Sequence, residues 1–172
     1  MGLKLNLAAG TDIRDGWLNL DVVPKWDLAV RGCDIIWDAR TDKLPFLDNT
    51  ADEIYAGYLL LHLAPKYHVP VLQEIRRVLS PTGTLMMGEV DMEIVMRMFL
   101  ENPEDPRCHD LIWGEQGSTH GDKLADFDKH CHGFTEASLR KRMTDSGFTN
   151  CQRVNIHCKE VFYELTMTCQ KA

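Results

Sequence analysis

The chain has 172 residues, of which 44% are hydrophobic and 26% charged; 26 acids outnumber 19 Lys and Arg, for a net charge of −7 and a pI near 5.4. That length and apolar fraction suit a single domain over residues 1–172 with its own hydrophobic core. The acidic balance excludes a duplex nucleic-acid binder, which needs a basic stripe for the phosphates, and no apolar run approaches the roughly 18 residues of a membrane span.

Met1 to Asn6 pass directly into strand pattern, so no signal peptide is expected, and Asn6 stands where a myristoylation motif has Ser or Thr. Leu3 to Ala8 reads as a first strand, entering a small-residue turn at Ala8, Ala9 and Gly10. A second strand, Trp17 to Leu20, ends in Asp21. Small residues let a backbone approach a ligand closely, and a carboxylate at the next strand tip can accept bonds from ribose hydroxyls. The dinucleotide fingerprint G-x-G-x-x-G is absent.

After a connector at Pro24 to Asp27, Asp34 to Asp38 reads as a third strand, 39–50 as a polar loop and Asp52 to Tyr58 as a fourth strand. Val71, Leu72, Ile75, Val78 and Leu79 share one face of a helix over 65–79. Pro70 is expected in its first turn, and Ser80 to Gly83 are expected to stop it and turn the chain. Thr84 to Val90 follows as a strand, and Asp91 is expected to cap a helix over Met92 to Leu100. Residues 101–134 lose periodicity and are expected to form an irregular insert or lid. Thr135 caps a helix over Glu136 to Ser146, with Gly147 at its C-terminal stop. Phe148 to His157 and Val161 to Cys169 close the chain as antiparallel strands. The six cysteines form no C-x-x-C pair and are expected as reduced thiols of a cytoplasmic protein.

The ordered motifs Leu5-Asn6-Leu7-Ala8-Ala9-Gly10, Gly16-Trp17-Leu18-Asn19-Leu20-Asp21, Leu44-Pro45-Phe46, Arg77-Val-Leu-Ser-Pro-Thr-Gly83 and Gly133-Phe134-Thr135 resemble class I S-adenosylmethionine-dependent methyltransferases over nearly the whole chain. The resemblance implies an α/β, Rossmann-like sheet of seven strands, mostly parallel with an antiparallel last strand. It implies S-adenosyl-L-methionine as cofactor. The turn Ala8, Ala9, Gly10, preceded by Asn6, would lie against its methionine part, and Asp21 would take the ribose hydroxyls. Asp38 and Ala39 would sit near the adenine, and Tyr58 and Leu59 would flank the cofactor and face substrate. Two departures stand out: Ala8 replaces the usual first Gly, and Asp12 replaces a common third Gly. Only six residues separate Gly10 from Trp17, too few for the usual helical crossover. The first helix is therefore expected to be shortened or missing, leaving a sheet face for a homodimer contact.

Methyl transfer is largely a matter of positioning. His62, just past the fourth strand, is the candidate base, with a loop histidine capping the next segment as the alternative. His130 is the second candidate, lining the acceptor pocket in the implied fold or standing solvated in its loop. His120 carries less. The clusters Cys108-His109, His130-Cys131-His132 and His157-Cys158 do not have structural zinc spacing, and no metal is expected. The expected function is methyl transfer to a small-molecule acceptor; the alternative is a non-catalytic binding module working in a protein complex.

Overall fold

The computed structural model describes residues 2–22, 33–114, 129–154 and 163–172. The connector Pro24 to Asp27, His120, and the link Cys158 to Glu160 lie outside the described residues. Seven strands form one sheet: β1 (Leu3–Leu7), β2 (Leu18–Asp21), β3 (Ile35–Ile36), β4 (Ala51–Gly57), β5 (Leu79–Val90), β6 (Phe148–Val154) and β7 (Glu164–Lys171). Their order is β3-β2-β1-β4-β5-β7-β6. The first five pair in parallel, and β7 runs antiparallel between β5 and β6. This is the sheet that the resemblance implies.

Among the described residues the helices are α1 (Pro65–Val78), α2 (Met92–Glu101), α3 (Pro106–Trp113) and α4 (Glu136–Asp145), with a 3-10 turn at Leu60–His62. Strand alternation decides what the core is made of. Leu5, Leu7, Leu20, Ile54, Ala56, Leu85, Met87, Leu165 and Met167 are buried with Val71, Leu72, Ile75 and Val78 of α1 and Leu139 and Met143 of α4. A smaller cluster, Leu61, Val90 and Val95 with Tyr58, Leu111 and Tyr163 against it, lies beyond the ends of β4 and β5.

Several local expectations change. Pro65 takes the first helical turn of α1, and Pro70 falls inside the helix. Ser80 to Gly83 do not turn the chain: α1 runs directly into β5, and these four residues bulge within the strand, since Ala51 pairs with Leu79 and Glu53 next pairs with Thr84. Gly83 is required there, because a Cβ would come within 2.9 Å of the Ala51 carbonyl oxygen. The insert is not wholly irregular, since α3 forms with Asp105 accepting from the Arg107 N–H and Pro106 in its first turn. Asp91 and Thr135 cap α2 and α4 as expected. Cys151 on β6 and Cys169 on β7 form a disulfide, with Cα atoms 4.3 Å apart. The expectation of six free thiols is corrected, because antiparallel pairing places these two side chains face to face. Among the described residues, no helix is long and apolar enough to cross a membrane.

No helix joins β1 to β2. A return over five strand residues must cover about 16 Å, and a ten-residue link can reach about 33 Å when extended, so a helix is dispensable for length. What the helix would have covered is closed by side chains. The Arg14 guanidinium lies over the Tyr55 ring, 3.5 Å from its centroid, and the Lys4 ammonium stands 5.5 Å from the Trp17 ring.

Candidate functional site

The parallel strands end together at one edge, where open α/β sheets bind ligands. At the end of β1 the backbone turns sharply, with Ala8 at φ 53° and Gly10 at φ 50°. The Ala9 N–H donates to the Leu20 carbonyl at 3.0 Å, and the Gly10 N–H donates to Asp21 Oδ2 at 2.7 Å. The turn is thus tied to the tip of β2, and the largely buried Asp21 carboxylate is held at its lip. A Cβ on Gly10 would meet nothing within 4 Å, so the turn borders open space.

Ala8 carries a left-handed backbone that costs an ordinary residue about 1 kcal/mol. We expect Ala8→Gly to raise stability by a few tenths to 1 kcal/mol, since relief of that cost outweighs the entropy added to the unfolded chain. Thermal unfolding by circular dichroism measures it; a lower midpoint for the glycine variant contradicts the reading.

Asn6 is fully buried and works on the crossover rather than at its mouth. Its Nδ2 donates to the Asp12 carbonyl at 2.6 Å and to Asn19 Oδ1 at 2.9 Å. Asn19 Oδ1 also accepts from the Arg14 N–H, and its Nδ2 donates to the Trp17 carbonyl and to Asp34 Oδ2. This network fixes the link that a helix would otherwise have fixed.

Past β3, Asp38 is held by Arg40 in a fork, Nε to Oδ1 at 2.9 Å and Nη2 to Oδ2 at 2.7 Å. That hydrogen-bonded guanidinium pulls the carboxyl below its ordinary range. Ala39 packs on the edge of the core beside it. Past β4, Tyr58 adopts φ 53°, with its N–H donating to the Gly88 carbonyl at 2.7 Å. Burial, and then the nearby Glu164 carboxylate, push the Tyr58 hydroxyl well above its ordinary value, so it stays a donor. Leu59 is 6% exposed and belongs to the core, so it supports the turn from below.

His62 and His130, 68 positions apart, are brought together, with ring centroids 5.0 Å apart and edge to face. His62 Nδ1 lies 3.2 Å from the Lys129 carbonyl oxygen and His130 Nδ1 lies 3.0 Å from that of Leu111. Burial first, and then His130, lower the His62 pKa to about 4, so its ring is neutral near pH 7. Burial lowers His130 as well.

One residue of the site was not anticipated. Glu89 is fully buried, and its Oε1 and Oε2 accept the Leu60 and Leu61 N–H at 2.9 Å and 3.2 Å. Strand alternation puts it on the core face after Leu85 and Met87. Desolvation raises its pKa to about 8. Its signal was present in the sequence as one acid within the apolar strand Leu85 to Val90. Asp91, next along, accepts from the Glu93 N–H and pairs with Arg153 at 3.0 Å. Among the described residues, no three His, Cys, Asp or Glu side chains converge as a metal site.

A model of the family described as "Methyltransferase domain" matches residues 11–87. No curated protein sequence matches the chain. Among solved structures, a SAM-dependent methyltransferase from Methanosarcina mazei superposes with a TM-score of 0.65 at 15% identity, over 98% of this chain and 91% of that one. The DhpI–SAH complex gives 0.64 at 17% identity, over 99% of this chain and 77% of that one. A Haloferax volcanii chain in complex with the Trm112 methyltransferase activator gives 0.63 at 16% identity, over 99% and 82%. At these identities the likeness establishes the fold.

Proposed function

Given a chain with the fold of the class I S-adenosylmethionine-dependent methyltransferases, we propose that it transfers the methyl group of that cofactor to a small-molecule acceptor. The observation that carries the reading is the bond from the Gly10 N–H to Asp21 Oδ2 at 2.7 Å, which fixes a carboxylate beside an open, left-handed turn. The residues fit the cofactor: the turn Ala8 to Gly10 takes its methionine part, Asp21 accepts from its ribose hydroxyls, and Asp38 and Ala39 border the adenine. Tyr58, held by the Gly88 carbonyl, flanks the cofactor from the end of β4. When bound, the cofactor supplies an electrophilic methyl on a sulfonium.

The chain's own part is to orient the acceptor in line with that methyl. His62 and His130, each with Nδ1–H donated to a backbone carbonyl, present Nε2 as a hydrogen-bond acceptor. A ring with a pKa near 4 is a weak base, suited to orienting an acceptor O–H or N–H more than to removing its proton early. We include a homodimer in the proposal, on the exposed Ile13 of the crossover and Ile36 of the edge strand; light scattering that finds only monomer removes it.

The test is isothermal titration with S-adenosylhomocysteine, with NAD as the control. Micromolar binding of the first alone supports the proposal. Binding of neither favours a second reading, a non-catalytic module in a protein complex. Two observations support that reading: the Asp38 carboxylate is already taken by Arg40, and the Haloferax volcanii neighbour was solved with an activator protein.

A further inference from the structure

Segment 129–134 crosses the 3-10 turn at Leu60–His62, and four imidazoles meet at the crossing. The Cys131 and His132 N–H groups both donate to the Leu61 carbonyl, at 2.7 Å and 3.2 Å. His130 packs edge to face on His62 at 5.0 Å, and His132 packs likewise on His68 at 5.1 Å and on Phe134 at 4.7 Å. A ring nitrogen of three of the four bonds to backbone: His62 to Lys129, His130 to Leu111 of α3, and His68 to Leu63 at 2.9 Å. His68 is fully buried, and its Nδ1 has no hydrogen-bond partner among the described residues.

We propose that these four histidines form a proton-operated latch: neutral rings seat segment 129–134 on the turn that follows β4, and protonated rings release it. The rings stack closely only while uncharged, since two imidazolium ions at this spacing repel in a poorly solvated setting. The charged groups around them do not offset that repulsion. Arg142 of α4 acts on both His68 and His132 and opposes their charging. Beneath the turn, Glu89 has both oxygens engaged by the Leu60 and Leu61 N–H groups. On α3, His109 and Asp110 face each other at 3.4 Å on the exposed side. Tyr58, packed beside Leu61, keeps its hydroxyl proton. Lys129 gives its carbonyl to His62. All four imidazoles are lowered from their ordinary value, with burial as the largest cause. The latch stands on this packing whether or not the chain transfers methyl groups.

Hydrogen exchange with mass spectrometry on the full chain tests it, using fragments that cover 129–134 and fragments of β1 and β4 as internal references. His62 alone, moving from about 4 when seated to 6.5 when released, favours opening roughly 20-fold between pH 7 and pH 5. We expect segment 129–134 to lose at least about that factor in protection, corrected for intrinsic rates, while the sheet fragments keep theirs. In a His62→Phe, His130→Phe variant, which keeps that pair's ring packing without its titration, the loss should shrink by most of that factor. Proton titration of the imidazole resonances in the unaltered chain is an independent check, with midpoints expected below 6.5. Protection that is unchanged with pH, that falls together with the sheet, or that accompanies ordinary imidazole midpoints overturns the latch.

Discussion

Asp21→Ala is expected to weaken S-adenosylhomocysteine binding by about tenfold to about a hundredfold, with the fold intact. A hydrogen bond to a charged group contributes about 1.5–3 kcal/mol, and each 1.4 kcal/mol is tenfold in affinity. Asp21 also accepts from the Gly10 N–H, so the alanine variant frees the turn as well as removing the anchor. Asp21→Asn separates the two effects. It keeps an oxygen for the Gly10 N–H but lacks the charge, so it should bind more weakly than the parent and more tightly than alanine. Titration calorimetry of the three proteins, with circular dichroism to establish that all are folded, decides the matter. Equal affinities for parent and alanine would remove Asp21 from the ribose and leave it a structural tie between β1 and β2.

The second large effect concerns Glu89. Its folded pKa of about 8 lies above the ordinary carboxylate value of 4.5, with desolvation as the main cause. The folded state therefore holds this proton more tightly than the unfolded chain does. The stabilisation is complete below pH 4.5 and is lost as pH rises through 8. A displacement of 3.5 pKa units corresponds to a change on the order of 5 kcal/mol across that window. Glu89→Gln keeps an oxygen for a backbone N–H and cannot ionise. It should flatten this part of the stability-against-pH curve and be more stable than the parent at pH 9. Glu89→Ala should destabilise most at pH 5, because it leaves the Leu60 and Leu61 N–H groups buried without an acceptor, at about 1–3 kcal/mol each, and its gap to the parent should narrow as pH rises. Urea unfolding of the three proteins at pH 5, 7 and 9 measures both effects. Parallel curves for the parent and the glutamine variant would show that Glu89 is ionised in the fold.

Much of the fold was legible because it depends on local pattern. The strands Leu3 to Leu7, Leu18 to Asp21 and Ala51 to Gly57 alternate or run apolar between turn residues. The helix over Pro65 to Val78 carries one apolar face, and Asp91 and Thr135 sit where capping requires them. The missing first helix was also readable, since six residues cannot supply a helical crossover. The misreadings arose where a neighbour overrides local preference. Ser80 to Gly83 has turn chemistry, yet it is held within β5 by pairing with β4 on both sides of the bulge. Residues 106–113 lie within an aperiodic stretch, yet Asp105 and Pro106 form an ordinary helix start there.

By itself the sequence determined the order of the strands, the turn that ends in Gly10 and the acid that ends β2, because strand period, turn chemistry and chain length act over a few residues. Tertiary structure decided which groups meet. His62 and His130 become a pair, Cys151 and Cys169 bond across two strands, and Glu89 becomes a buried carboxyl under the turn. These pairings depend on sheet order and register, which are set by burial of the whole apolar face and not by any local stretch. Protonation follows the same division: an isolated histidine or glutamate has its ordinary pKa, and only the packing around it moves that value.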